Sequence, residues 1–237
     1  MTSATGLLIA HGSPDPRHAA ALRRLSAAVT QQLSAATSDI HSDLAFLEHD
    51  EPLLTTWLAA RPTGRVRAIG LLLASGYHAM VDIPKTLEAA SPDVSITNLG
   101  TLGLDGWLFE ILEQKVAEAG GTRDSPVVLV AAGSTQRAAR DDLHLVCDTW
   151  QRRRGATVLP AAVSGPDPRP DQVVSTGDVA ASDVVVVPFM LAPGALADRA
   201  RIAAETVGAR CADAITTEQR APAELVTHLV GRLTKQD

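Results

Sequence analysis

The sequence predicts an α/β protein made of two similar halves, each with a mainly parallel sheet flanked by helices. Three observations carry that expectation. Short β-rich runs alternate with helical patterns along the whole chain, a glycine-containing polar stretch interrupts them at 119–125, and the pattern then starts again. A strand returning parallel to its predecessor needs a long crossover, usually a helix, so steady alternation favours parallel sheets over hairpins. The expected halves are 1–120 and 126–237, each within the usual domain range.

The elements follow in order. Gly6-Leu7-Leu8-Ile9-Ala10 is apolar throughout and reads as a buried strand, ended by the turn Gly12-Ser13-Pro14-Asp15. Asp15 before Pro16 is a helix start, because an acid at the N-cap accepts a free backbone N–H and proline fits the first helical position. Leu22, Leu25 and Val29 then fall on one face at three- and four-residue spacing. A second strand is expected over 43–47, a helix over 52–60, a third strand over 66–73 and a fourth over 94–97. Between the last two, a helix restarts after His78, with Asp82 as its N-cap and Pro84 in its first turn. A helix over 107–119 closes the half, and the following stretch, 119–125, is a linker by composition.

The second half repeats the first. Val127-Val128-Leu129-Val130-Ala131 leads into Ala132-Gly133-Ser134, where the first half has His11-Gly12-Ser13. His11 and Ala132 stand 121 positions apart, and the same offset relates Leu22 to Leu143, Leu25 to Val146 and Val29 to Trp150. A helix face in register with a strand and a turn marks a duplication. Further on, 184–190 mirrors 66–73, and Leu191-Ala192-Pro193-Gly194 echoes Leu73-Ala74-Ser75-Gly76.

Composition narrows the function. No apolar run reaches the roughly 20 residues of a membrane span, so no membrane association is expected. Residues 1–5 lack the basic start of an export signal, which makes the cytoplasm the expected location. The net charge of −6 and 3% aromatics leave no basic stripe with interleaved rings, so nucleic acid is not an expected partner. Cys147 and Cys211 are too few for a disulfide framework and too far apart for a CxxC motif, and they read as small buried or half-buried thiols.

In open parallel sheets, ligands bind beyond the carboxyl ends of the strands. His11 directly follows the first strand, and His78 lies beyond the third. Two imidazoles on one sheet edge bind a divalent metal or accept protons near neutral pH, and the residues alone leave both uses open. Glu48, at the end of the second strand, suits an acid that neutralises a metal, takes a proton or holds a histidine in one tautomer. His18 is expected to be exposed, His49 has no clear task, and His41, His144 and His228 have none. No four-ligand set at zinc-site spacing occurs, so an open site is expected rather than a closed structural one.

Leu8-Ile9-Ala10-His11-Gly12-Ser13 with Asp15-Pro16-Arg17, followed by Gly76-Tyr77-His78 with Asp82-Ile83-Pro84, resembles the CbiX/SirB family of sirohydrochlorin chelatases, the class II tetrapyrrole chelatases. The resemblance implies two α/β halves around a cleft and ATP-independent insertion of Co²⁺ or Fe²⁺ into sirohydrochlorin, feeding cobalamin or sirohaem synthesis. The metal is then a substrate, with Ni²⁺ also acceptable to imidazole, and no organic cofactor is expected. Carried over by motif, His11 and His78 are the catalytic and metal-handling pair, with Glu48 as a helper. Ser13, Arg17, Tyr77, Lys85 and Arg199 lie near the motif turns and are candidates for binding the substrate and its carboxylates. The second half departs at both motif positions, with Ala132 for the first histidine and Leu196 for the second, so one site per chain is expected and the second half supplies a wall.

Two rivals follow from the same residues. A histidine phosphatase would carry Arg-His-Gly after the first strand, but Ala10 precedes His11, so the phosphoryl-binding charge is missing. A carrier that binds tetrapyrrole or metal without catalysis is the other. The oligomeric expectation is a monomer or a homodimer.

Overall fold

The computed structural model describes residues 4–36, 40–61, 63–74, 76 and 78–235, with His78 described in its backbone alone. The first repeat runs β1 (Ala4–Ala10), α1 (Pro16–Ala36), β2 (Ile40–Phe46), α2 (Leu54–Ala59), β3 (Gly64–Gly70), a π-helical turn (His78–Asp82), α3 (Ile83–Glu88), β4 (Val94–Thr101) and α4 (Gly106–Glu118). The second runs β5 (Val127–Ala131), α5 (Arg137–Arg154), β6 (Val158–Ala162), α6 (Pro170–Ser175), a 3₁₀ turn (Ala181–Asp183), β7 (Val185–Pro188), α7 (Ala195–Val207), β8 (Arg210–Cys211) and α8 (Ala223–Thr234). The strands form two four-stranded sheets in the orders β2-β1-β3-β4 and β6-β5-β7-β8. Every pairing is parallel, as the alternation of strand and helix predicts.

The duplication is visible in single hydrogen bonds beyond the strand ends. Leu47 N donates to Ala10 O at 2.9 Å, and Val163 N to Ala131 O at 3.0 Å. Leu71 N donates to Ile9 O and Phe189 N to Val130 O, both at 2.7 Å. The helix face read at constant offset is buried in both copies, with Leu22, Leu25, Val29, Leu143, Val146 and Trp150 all at most 2% exposed.

Two compact units result, and each takes one helix from the other repeat. Residues 1–103 and 218–237 make the first unit, and 104–217 make the second. Thus α4, which the first repeat encodes, packs on β7 and against α5, where Trp150 Nε1 donates to Glu113 Oε1 at 2.6 Å. Reciprocally, α8 lies beside α1 in the first unit, with Leu233 over Gly6 of β1, where a Cβ would come within 2.8 Å of Leu233 Cδ1. The core on one sheet face of the first unit joins Leu7, Ile9 and Val66 with Leu54 and Trp57 of α2 and Ile83 and Leu87 of α3. The second unit repeats it with Val128, Val130, Val174 and Ala200.

Several expectations shift. The apolar run 66–73 overshoots its strand, which ends at Gly70 after a register shift against β4. Leu71 is nevertheless buried and still donates to Ile9 O, so the run marks burial and pairing that continue past the last regular ladder pair. The 52–60 helix shortens to α2, because Pro52 O accepts from Phe46 N at 2.9 Å and ties that segment to the end of β2. Asp82 makes no side-chain capping bond, since it already sits in helical conformation as the last residue of the π-helical turn. Asp15 does cap α1, accepting from Arg17 N at 3.0 Å. The stretch 119–125 is held tightly. The guanidinium of Arg154, a residue only 4% exposed, donates from Nη2 to the carbonyls of Thr122 (3.0 Å), Arg123 (2.7 Å) and Ser125 (3.1 Å).

Candidate active site

The carboxyl edge of the first sheet carries two turns that lock into each other. Gly12 adopts φ +95°, and a Cβ on it would lie 1.7 Å from Glu48 O, so the turn after β1 closes on the turn after β2 only with glycine there. Glu48 N donates to His11 O at 2.9 Å, and Ser13 N donates to Asp50 Oδ2 at 3.1 Å. The backbone therefore presses residues 11–13 against residues 48–50, two residues past the end of β2 rather than at it. Ser13 Oγ accepts from Asp15 N at 3.1 Å, so this candidate substrate-binding hydroxyl also braces its own turn.

This packing brings His11 and Glu48 together, with Nε2 and Oε1 3.4 Å apart and side chains 33% and 49% exposed. His11 Nδ1 lies 3.0 Å from Gly12 O, and a carbonyl only accepts, so Nδ1 carries the proton of the neutral ring. The Nε2 lone pair then faces a carboxylate oxygen. Two acceptors in that arrangement attract a proton or a cation between them. Ligands about 2.1 Å from one ion, at a tetrahedral angle, stand about 3.4 Å apart, which the pair matches. Among the described residues no set of three or more His, Cys, Asp and Glu side chains converges as a metal site.

His78 opens the π-helical turn that follows β3, and β3 is the parallel neighbour of β1, so both histidines follow strands of one sheet on its carboxyl side. Short π-helical segments recur at functional sites. The His78 side chain and Tyr77 lie outside the described residues. In the same turn Met80 is 67% and Val81 39% exposed, two large apolar side chains beside the histidine position that sequence reasoning passed over.

The basic candidates are placed differently. Arg17 grips Asp15 in a fork, Nε to Oδ1 at 3.0 Å and Nη2 to Oδ2 at 2.6 Å, and this pairing holds the Asp15 carboxyl below the usual carboxylate range. Lys85 is exposed on α3, and Arg199 is exposed on α7 in the second unit.

Three further residues at this edge were missed or misjudged. His18 is half-buried, not exposed, and lies near Asp50, His11 and Asp15. Its Nδ1 is buried without a hydrogen-bond partner among the described residues. Burial lowers its pKa from the ordinary 6.5, against the pull of Asp50. Asp50 holds the turn through Ser13. His49 reaches Glu48 Oε1 with its Nε2 at 3.1 Å. The sequence offset of 121 would set His49 opposite Pro170; only the shared closure of Gly12 on Glu48 and Gly133 on Ser164 sets it opposite Gly165. Elsewhere Cys147 is a buried thiol and Cys211 a half-buried one, with burial pushing them up to about 12 and about 11. His228 Nε2 is 2.7 Å from Leu102 O and His41 Nε2 is 3.3 Å from Thr5 Oγ1, both structural contacts.

The second unit keeps the backbone device without the chemistry. Gly133 has φ +94°, and its Cβ would lie 1.9 Å from Ser164 O. Ala132 stands for His11, Ser164 for Glu48 and Gly165 for His49, and Ser164 Oγ donates to Ala132 O at 2.6 Å. Leu196 occupies the position of His78.

The family model described as CbiX matches the chain twice, over residues 5–119 and 126–232. Among solved structures, SirB from Bacillus subtilis with Fe³⁺ aligns at a TM-score of 0.75 and 19% identity, covering 98% of this chain and 94% of that one. The sirohydrochlorin chelatase SirB from Bacillus subtilis subspecies spizizenii, in complex with cobalt, aligns at 0.73 and 20% identity with the same coverage of 98% and 94%. A CbiX described as the terminal enzyme for biosynthesis of siroheme in denitrifying bacteria aligns at 0.68 and 14% identity, covering 98% and 100%. At these identities the structures share the fold. No curated protein sequence matches. No described helix is long and apolar enough to cross a membrane.

Proposed function

The chain belongs to the CbiX family, and from that premise we propose that it is a sirohydrochlorin chelatase, inserting Co²⁺ or Fe²⁺ into the macrocycle without ATP. The observation that carries the reading is the His11–Glu48 pair, an imidazole lone pair and a carboxylate oxygen 3.4 Å apart on an open sheet edge.

Insertion asks two things of the protein. The ion must shed water in steps, and the ring must lose two pyrrole N–H protons as the ion enters. His11 Nε2 and Glu48 Oε1 offer a mixed nitrogen and oxygen grip suited to borderline divalent ions. The position of His78 supplies a second imidazole from the same sheet edge. Such a grip is weak enough to release the ion, since it leaves most coordination positions to water and the ring. As the ion passes into the macrocycle, His11 Nε2 and Glu48 Oε1 would accept the pyrrole protons. Exposed Met80 and Val81 offer an apolar seat for a ring face, and Lys85, exposed in the same unit, is the cation assigned to the peripheral carboxylates. Arg17, already forked onto Asp15, contributes less to that charge. The SirB relatives with Fe³⁺ and with cobalt support both metals as substrates in this fold.

The test is a spectral assay. Sirohydrochlorin mixed with Co²⁺ or Fe²⁺ is followed as the metallated spectrum grows, with and without protein. The expected result is a rate above the uncatalysed reaction, which falls strongly in His11→Ala and His78→Ala. Stoichiometric binding of the tetrapyrrole with no rate increase would make the protein a carrier instead.

A further inference from the structure

His49 stands out by its backbone before its side chain. It is the one non-glycine residue with positive φ among the described residues, at +67°. A side chain there crowds its own carbonyl, and glycine avoids the crowding. The second unit makes the same turn with Gly165, at φ +84°. The turn geometry therefore does not require histidine; glycine satisfies it in the same protein.

The side chain shows what histidine adds. His49 Nε2 lies 3.1 Å from Glu48 Oε1, the same oxygen that faces His11 Nε2 at 3.4 Å. A carboxylate only accepts, so His49 Nε2 is the donor. Glu48 is half-exposed, and a free glutamate side chain at that exposure samples several rotamers. Its backbone is fixed by the bond from Glu48 N to His11 O at 2.9 Å, but that bond leaves the carboxylate free to swing. The remaining control over where Oε1 points comes from His49.

We infer that His49 is a positioning residue: it donates to Glu48 Oε1 and holds that oxygen against His11 Nε2, at the cost of a left-handed backbone that glycine would adopt freely. This rests on the reading of His11 and Glu48 as the metal-handling pair. It assigns His49 no place on the metal itself, in keeping with the absence of a three-ligand set among the described residues.

Stability and function separate the two explanations. Co²⁺ affinity is measured on the full chain by visible absorption without tetrapyrrole, alongside thermal melting and the insertion assay, for wild type, His49→Gly and His49→Gln. His49→Gly is expected to melt at the same or a higher temperature and to bind Co²⁺ about tenfold more weakly, the low end for losing a residue that orients a ligand. His49→Gln keeps an N–H at similar reach in the strained backbone. It is expected to melt no higher than wild type and to recover most of the affinity. A structural role alone predicts affinity that follows melting temperature, and wild-type affinity in His49→Gly overturns the inference. A wild type that binds Co²⁺ with this His49 dependence but does not speed insertion supports the positioning role and overturns the chelatase reading instead.

Discussion

The turn after β1 and the turn after β5 share a backbone and differ in almost every titratable atom. Both place a glycine near φ +95° beneath the carbonyl of the turn after the neighbouring strand, and both follow it with a serine that braces the next helix, Ser13 for α1 and Ser134 for α5. One then carries His11, Glu48, His49 and His18, and the other carries Ala132, Ser164, Gly165 and Ala139 at the matching positions. The difference teaches that the scaffold is specified by glycine, serine and the buried strand, while the chemistry is a separable layer. The second unit serves as an internal control for each claim about the first.

Four experiments test how far the two turns are one device with separate chemistries. The largest effect is expected from Gly12→Ala and Gly133→Ala, which force a Cβ into a carbonyl at a positive φ. Each should cost about 4 kcal/mol or more in urea unfolding, about equally in the two units. Unequal costs would show that the two turns are not the same device. Next is Arg154→Met. It removes the donor shared by three linker carbonyls and should cost about 3 kcal/mol, read as faster hydrogen exchange within 104–217. The first repeat has Leu33 at that position, fully buried, so Leu33→Met should cost far less.

On function, His11→Ala should slow metal insertion about 100-fold, as removal of a general base or ligand does. The mirror change Ala132→His should leave the rate within about twofold, because Ser164, Gly165 and Leu196 give the new ring no partners. A gain from Ala132→His would mean that the second edge is competent after all. The smallest effect concerns His18. Its pKa is lowered by burial from 6.5, so as pH falls the unfolded chain takes up the proton first. The stability it contributes is full above about pH 6.5 and is lost as pH drops below that value. Melting curves from pH 8 to pH 5 should show a loss that His18→Gln reduces, confined to the first unit because the second has Ala139 there.

Much of this was legible in the sequence, for reasons that also mark where reading stops. Val127 to Ala131 is apolar at every position because a central parallel strand is covered on both faces, so its existence was plain. The offset of 121 carried the helix face with it, since a duplicated chain keeps its buried positions. Strand ends were harder. Leu71 stays apolar past the last regular pair because it is still buried and still donates to Ile9 O. His18 reads as exposed because its helix turn is polar, and only the fold shows it half-buried near Asp50 and His11. His49 was invisible by type and position, and only its φ and its reach to Glu48 give it a task. The apolar face of 107–119 announces a helix that covers a sheet, but nothing in an amphipathic pattern names which sheet.

That last ambiguity, resolved by the helix exchange, sets a timetable for the chain. The second unit, 104–217, is continuous, and all of it has been synthesised before Leu225, Leu229 and Leu233 are added. The first sheet waits for those leucines to cover the face that holds Gly6. A nascent chain can thus finish the half without His11 and His78 while the half that bears them is still open on one side. The unit that begins first in the sequence is the last to close.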